Sequence, residues 1–446
     1  MNKKLFAIVA VLVIIAIAAS VRFTNPVKLV DIPLTVVAKQ PYVEQLGNGL
    51  TVSVMEKHAL PLVTIQFWVH VGSKNEPEGK EGIAHVFEHI WFKGTATQPV
   101  GSFHKRVEQL GGELNAMTSQ DWTMYFVTVP SDKFNEIFPN MVDLLLNTAF
   151  DENEIKKELE VIVEEQRMSF NSPERHLDDQ FGLTLLDKHP YRNPIIGYKS
   201  TIFNVTREDL IQFYRTWYVP NNMNIVVAGD VDTQTVVSTI DNAFKEFQPQ
   251  PLPQLELPKE ELHTEPRYNS SARELGFNYI AVGFTAPKSN HPDKYAMQVF
   301  NVIFGESESS RLQQIVKKQK NLVVRANSVS AALNDLGVFE MIAVVEPEKR
   351  NEAVAELLVQ LNKFKTEPVS EEELARAKRL IRAAYVQGQE EVGDVGMDIG
   401  ESWISGTLDG YSNYLKRIDE VTKEDILRIA KQYFNNYTIY ELKPKK

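Results

Sequence analysis

Residues 63–90 read VTIQFWVHVGSKNEPEGKEGIAHVFEHI, and residues 278–303 read NYIAVGFTAPKSNHPDKYAMQVFNVI. Each stretch begins as a β-patterned run, passes through a polar turn and enters an apolar helix. Placing His85 on Gln298 sets Phe87 on Phe300, an offset of 213 residues. Two further blocks repeat in the same order. DENEIKKELEVIVEEQRM (151–168) matches SEEELARAKRLIRAAYVQ (370–387) at an offset of 219, and VTREDLIQFYRTWY (205–218) matches VTKEDILRIAKQYF (421–434) at 216. Three ordered matches at nearly one offset point to duplication, and a period this long means two domains rather than a solenoid.

Period-two runs at 51–56, 63–71, 122–129, 224–229 and 277–284 read as strands, while 82–92, 133–148 and 152–170 read as helices. Each half is therefore expected to be an α+β unit of one sheet backed by helices. Residues 250–262, QPLPQLELPKEEL, are rich in Pro and Glu and read as a linker. The expected domains are 43–249 and 263–446, the second without the histidine pattern described below.

The chain has 446 residues, 43% of them hydrophobic, enough for two cores. Its formal charge of −11 argues against nucleic acid as a partner, because phosphate binding needs a basic surface. With no cysteine, disulfides and thiolate chemistry are excluded, and any metal must be held by His and carboxylate. Lys3 and Lys4 precede seventeen uncharged residues, Leu5 to Val21. Residues 1–21 read as an export signal, either cleaved or kept as a short membrane anchor, so the body is expected in the periplasm or on the outer face of the inner membrane.

Within GIAHVFEHIWFKGT (82–95), His85 and His89 stand four apart, on one helix face, with Glu88 beside His89. They can hold one ion, or be two interior histidines satisfied by backbone. The duplicate helix carries Gln298, Asn301 and Val302 at these positions, while the packing residues Val86, Phe87 and Ile90 recur as Val299, Phe300 and Ile303. The fold therefore has no need of the three polar residues. Helix 152–170 offers Glu158 and Glu165 on one face, and their counterparts are Ala377 and Ala384. Two imidazoles and one carboxylate suit catalytic zinc.

The H-x-x-E-H order, inverted relative to the commoner zincin motif, resembles the pitrilysin, insulin-degrading enzyme and mitochondrial processing peptidase family of zinc metallopeptidases, in its short bacterial two-domain form. The likeness spans residues 43–440 through HVFEHIWFKGT, GGELNAMTSQDWTMYFVTVP, the Glu158/Glu165 pair, HPYRNPIIG and YVPNNMNIVVAGDVD. The resemblance implies one zinc ion per chain on His85, His89 and Glu165, with Glu164 the nearest competitor for the third place. It implies Glu88 as general base and Glu158 as the carboxylate that orients a ligand histidine. It also puts Asn115 and Ala116 on an edge strand that pairs with an extended peptide substrate.

The family further uses an Arg and a Tyr, in an R-x-x-x-x-L-x-Y pattern, to hold substrate and oxyanion. Aligning SSRLQQIVKKQKNLVVRA (309–326) puts Lys317 and Val324 there, and leaves Arg311 as a packing or salt-bridge residue. Val324 cannot donate a hydrogen bond. The resemblance is thus to the zinc-bearing subunit of a heterodimer whose homologous partner supplies the pair. A non-catalytic peptide-binding or scaffold subunit is the contrasting expectation.

Overall fold

The computed structural model describes residues 39–261 and 263–445, so the expected export segment at 1–21 lies outside the described residues. The first sheet contains β1 (Tyr42–Gln45), β2 (Thr51–Glu56), β3 (Leu62–Val69), β4 (Glu113–Thr118), β5 (Thr123–Pro130) and β6 (Met223–Gly229), in the order β1-β2-β6-β3-β5-β4. The second contains β7 (Arg267–Arg273), β8 (Asn278–Ala286), β9 (Arg325–Ala332), β10 (Gly337–Val345) and β11 (Thr438–Pro444), in the order β7-β11-β8-β10-β9. Without β1 the two orders are the same. The sense agrees too, with β2–β6 and β7–β11 the parallel pair of each sheet.

Matching residues also start matching helices. Asp151 caps helix Glu152–Asn171 by accepting from the backbone N–H groups of Asn153 and Glu154, and Ser370 caps helix Glu371–Gly388 through Glu373. Thr206 and Thr422 form reciprocal capping boxes with Asp209 and Asp425. In the cores, Phe87 meets Tyr218 with ring centroids 4.4 Å apart, and their counterparts Phe300 and Phe434 meet at 4.7 Å.

The halves are joined by exchanging a helix. Helix Pro173–Leu185 lays Leu177, Phe181 and Leu185 against Ala281, Tyr440 and Leu442 of the second sheet. In return, helix Val392–Ile404 lays Val395, Ile399 and Ile404 against Met55, Trp68 and Met124 of the first. Glycine makes room at both contacts. A Cβ on Gly400 would come within 2.0 Å of the Trp68 ring, and one on Gly283 within 2.6 Å of the Phe181 ring.

An ion triad, buried at Lys74 and Asp121 and exposed at Asp335, also crosses between the halves. The Lys74 ammonium lies 2.7 Å from Asp121 and 2.9 Å from Asp335, while the Asn334 backbone N–H donates to Asp121 at 2.9 Å. This ties the turn after β4 to the turn after β9. The segment joining the halves is itself tied down. Glu260 accepts backbone N–H bonds from Asp187, Lys188 and His189 at 2.9–3.0 Å, and Asn221 holds both sides of Gln250.

Candidate metal centre

The helix that carries His85, Glu88 and His89 runs Ile83–Trp91 and is held by its apolar face, where Ile83, Val86, Phe87, Ile90 and Trp91 are buried in the first core. Each fully buried side chain of this kind contributes about 1.5–3 kcal/mol, so the polar face is free to serve chemistry. Gly82 at the helix start has φ 101°, and a Cβ there would run into the Ile196 carbonyl. A glycine has no capping side chain, and Glu76 supplies one from outside. Its carboxylate accepts from the backbone N–H groups of Gly82 at 2.8 Å and Ala84 at 2.9 Å. Gly197, at the end of the HPYRNPIIG block, packs on Glu81 so closely that a Cβ would fall 2.0 Å from its carbonyl oxygen.

Helix Glu152–Asn171 brings the third donor. One ligand atom each from His85, His89 and Glu165 lie within 4.8 Å of one another. The Nε2 of His89 is 3.6 Å from Glu165, and its Nδ1 is 3.1 Å from Glu158. Glu158 is fixed in turn by Lys93 at 2.7 Å. Exposure separates the competing carboxylates: side-chain values are 10% for Glu158, 35% for Glu165 and 61% for Glu164. Glu164 points to solvent and pairs with Arg167, so it takes no part in the cluster.

The electrostatics fit a cation among these donors. Burial, helped by His89, pushes His85 down to about 3, which keeps it neutral, the form in which imidazole binds metal. Its Nδ1 is buried without a hydrogen-bond partner. Burial works against the imidazolium of His89 too, but there the Glu158 hydrogen bond and the fields of Glu165 and Glu88 outweigh it and the pKa is raised. For Glu158, burial is outweighed by His89 and Lys93, which hold the carboxylate ionised and below its ordinary range. Burial raises Glu88 despite opposing pulls from Thr118 and His89. Two imidazole nitrogens, one carboxylate oxygen and a carboxylate behind one histidine form a donor set that zinc accepts.

Strand β4 is one of the two edge strands of the first sheet, and Asn115 and Ala116 lie in its middle. Ala116 is buried, and its backbone N–H is capped by the Asn115 side chain at 3.0 Å. Thr118, at the end of the same strand, donates a hydrogen bond to Glu88 Oε2 at 2.5 Å. Sequence reasoning missed Thr118, whose only signal was its place in the GGELNAMTSQDWT block two residues beyond Ala116.

In the second half the equivalent helix, Asp293–Asn301, runs directly into a π-helical turn at Val302–Glu306. Asn301, at the position of Glu88, is bonded to Glu306 and to Ser328. Arg311 forms a two-point pair with Glu373 and stacks over Phe364, which makes it structural. Lys317 is half-buried and Val324 exposed. A second cluster of potential donors, Asp187, Glu260 and His263, was invisible in the sequence. Its carboxylates are engaged elsewhere, Asp187 by Arg267 and Glu260 by the three backbone N–H groups.

Comparison with known proteins bears on both halves. Residues 51–199 match the family described as Insulinase (Peptidase family M16), and residues 204–381 match Peptidase M16 inactive domain. The zinc protease PqqE of Helicobacter pylori is 30% identical over 399 residues, covering 88% of this chain and 89% of that one. An uncharacterized zinc protease of Rickettsia felis is 29% identical over 398 residues, covering 89% and 95%. Among solved structures, a protease from Helicobacter pylori superposes with a TM-score of 0.87 at 28% identity, covering 91% of this chain and all of that one. A peptidase M16 inactive domain from Pseudomonas fluorescens shares the fold, with a TM-score of 0.84 at 16% identity over 91% and 98%.

Proposed function

The chain belongs to peptidase family M16, the insulinase family, and on that footing we propose that it is a zinc-dependent metalloendopeptidase acting on peptides or unfolded segments. The observation that carries this reading is the convergence of His85, His89 and Glu165 within 4.8 Å beside a half-buried Glu88. One zinc ion would be held by these three, and when bound it supplies a Lewis acid and makes water acidic near neutral pH. Glu158 holds His89 through Nδ1, which leaves Nε2 with its lone pair for the metal. Glu88 takes a proton from the attacking water and returns it to the nitrogen of the leaving amine. The peptide pairs in extended form with β4, displacing the Asn115 side chain from the Ala116 N–H.

Lys317 and Val324 supply no Arg and Tyr donors, so the active form is a heterodimer with a homologous second subunit that provides them. The same absence favours the alternative of a non-catalytic, peptide-binding subunit. An export segment at residues 1–21 would put the body outside the cytoplasm, in the periplasm or on the outer face of the inner membrane.

The test is hydrolysis of a quenched-peptide library by the full chain with zinc, alone and with the homologous partner, against Glu88→Gln. The expected result is cleavage only with the partner, lost in Glu88→Gln. Cleavage by the chain alone would remove the heterodimer from the account, and silence in both with zinc bound would leave the peptide-binding alternative.

A further inference from the structure

We propose that Thr118 is a positioning residue for the general base, and that through it the substrate strand sets the aim of Glu88. Among the described residues the Thr118 hydroxyl makes the one hydrogen bond to the Glu88 carboxylate, at 2.5 Å to Oε2. A half-buried carboxylate with a single protein donor has one oxygen fixed and one free. Occupying Oε2 leaves Oε1 as the oxygen that takes the proton from the attacking water and passes it to the leaving amine. With a proton on Oε1 the hydroxyl still donates to Oε2, so the carboxyl holds its orientation through both transfers.

The hydroxyl can do this because its own position is fixed. Thr118 pairs with Thr123 across β4 and β5, and the next two residues accept backbone hydrogen bonds from Ser73 and Lys74 at 3.0 and 3.1 Å. Beyond them, Asp121 is clamped by Lys74 and by Asn334 of the second half. Residues 72–76 complete the circuit, since Glu76 caps the helix that carries Glu88. The strand expected to pair with substrate and the helix bearing the base are thus joined at both ends of one short loop. A group held by locked neighbours on a rigid element keeps the geometry that proton transfer needs.

The proposal rests on the peptidase reading for its kinetic consequence but not for its structural one, and the test separates the two. Crystal structures of the full chain are compared for wild type, Thr118→Val and Thr118→Ser, and kcat, KM and zinc content are measured for each with the partner. In Thr118→Val the Glu88 carboxylate is expected to leave its wild-type position, and kcat to fall about 10- to 100-fold, with KM, Tm and zinc content unchanged. Thr118→Ser is expected to restore both the position and kcat. A Glu88 that stays in place in Thr118→Val overturns the proposal, as does a serine variant that loses as much as the valine one. A parallel fall in Tm and zinc content makes Thr118 merely structural. If wild type cleaves nothing, the peptidase reading fails while the position of Glu88 still decides this one.

Discussion

The two halves solve the same packing problem with opposite parts. Where the first sheet carries Trp68, the exchanged helix from the second half carries Gly400. Where the second sheet carries Gly283, the exchanged helix from the first half carries Phe181. Trp68 and Gly283 are equivalent positions, 215 residues apart, and so are Phe181 and Gly400, 219 apart. After duplication the large side chain sits on the sheet at one contact and on the helix at the other. Each interface is filled once, and the two together are no longer interchangeable.

The candidate metal centre diverged differently. His85, Glu88, His89, Glu158 and Glu165 became Gln298, Asn301, Val302, Ala377 and Ala384, while the buried aromatic residues beneath them kept their pairing. A strand hydroxyl donates to the residue at the base position in each half, but from different places: the registers make Ser330 the counterpart of Thr118, while Ser328, which donates to Asn301, stands where the first half has Ala116. The packing residues are kept in both halves, and the candidate donors stand only in the first.

The sharpest attack on this contrast is Glu88→Gln. It is expected to lower kcat by about 10²- to 10⁴-fold, the range for a lost general base, while zinc content stays at the wild-type level. Gln298→Ala, in the helix without the motif, is expected to leave kcat unchanged. A loss at Gln298 would mean that the second half shares in the chemistry.

Next in size is the bond between the halves. Lys74→Met leaves the buried Asp121 carboxylate without a counter-charge, with only the Tyr191 hydroxyl and the Asn334 N–H as donors, and is expected to cost about 3–5 kcal/mol in denaturant unfolding. Adding Asp121→Asn should recover much of that, because it removes the unpaired charge. Gly400→Ala forces a methyl group onto Trp68 and should cost about 1–3 kcal/mol by overpacking. An unchanged Tm in Gly400→Ala would show that the helix exchange has slack.

The smallest effect concerns a trait the exchanged helices share. Asp179 and Asp398 are equivalent, and burial pushes their carboxyls up to about 6 and about 7. Each is protonated in the fold at pH values where the unfolded chain is already ionised. That stabilisation is complete below the ordinary carboxylate pKa and is lost as pH rises through the folded value. Asp398→Asn should therefore raise Tm at pH 8 and flatten the gain that wild type shows between pH 8 and pH 5.5. A variant with the wild-type pH slope would place the titration elsewhere.

Much of this was legible in the sequence because it depends on local pattern. β2 falls at Thr51–Glu56 and helix Glu152–Asn171 within a residue of its expected span, since alternation and capping are short-range signals. The convergence of His85, His89 and Glu165 was legible as helix spacing plus their absence from the duplicate. The helix exchange was not, because Val392–Ile404 is an amphipathic helix whichever sheet it covers. Nor was the role of Thr118, a hydroxyl thirty residues from its acceptor, or the anchoring of the linker by Glu260, where three backbone groups meet one side chain.

If one half alone holds the metal, anomalous diffraction at the zinc absorption edge from crystals of the zinc-loaded chain is expected to show a single peak among His85, His89 and Glu165. A peak instead between Asp187, Glu260 and His263, or none at the histidines in crystals containing zinc, would contradict it.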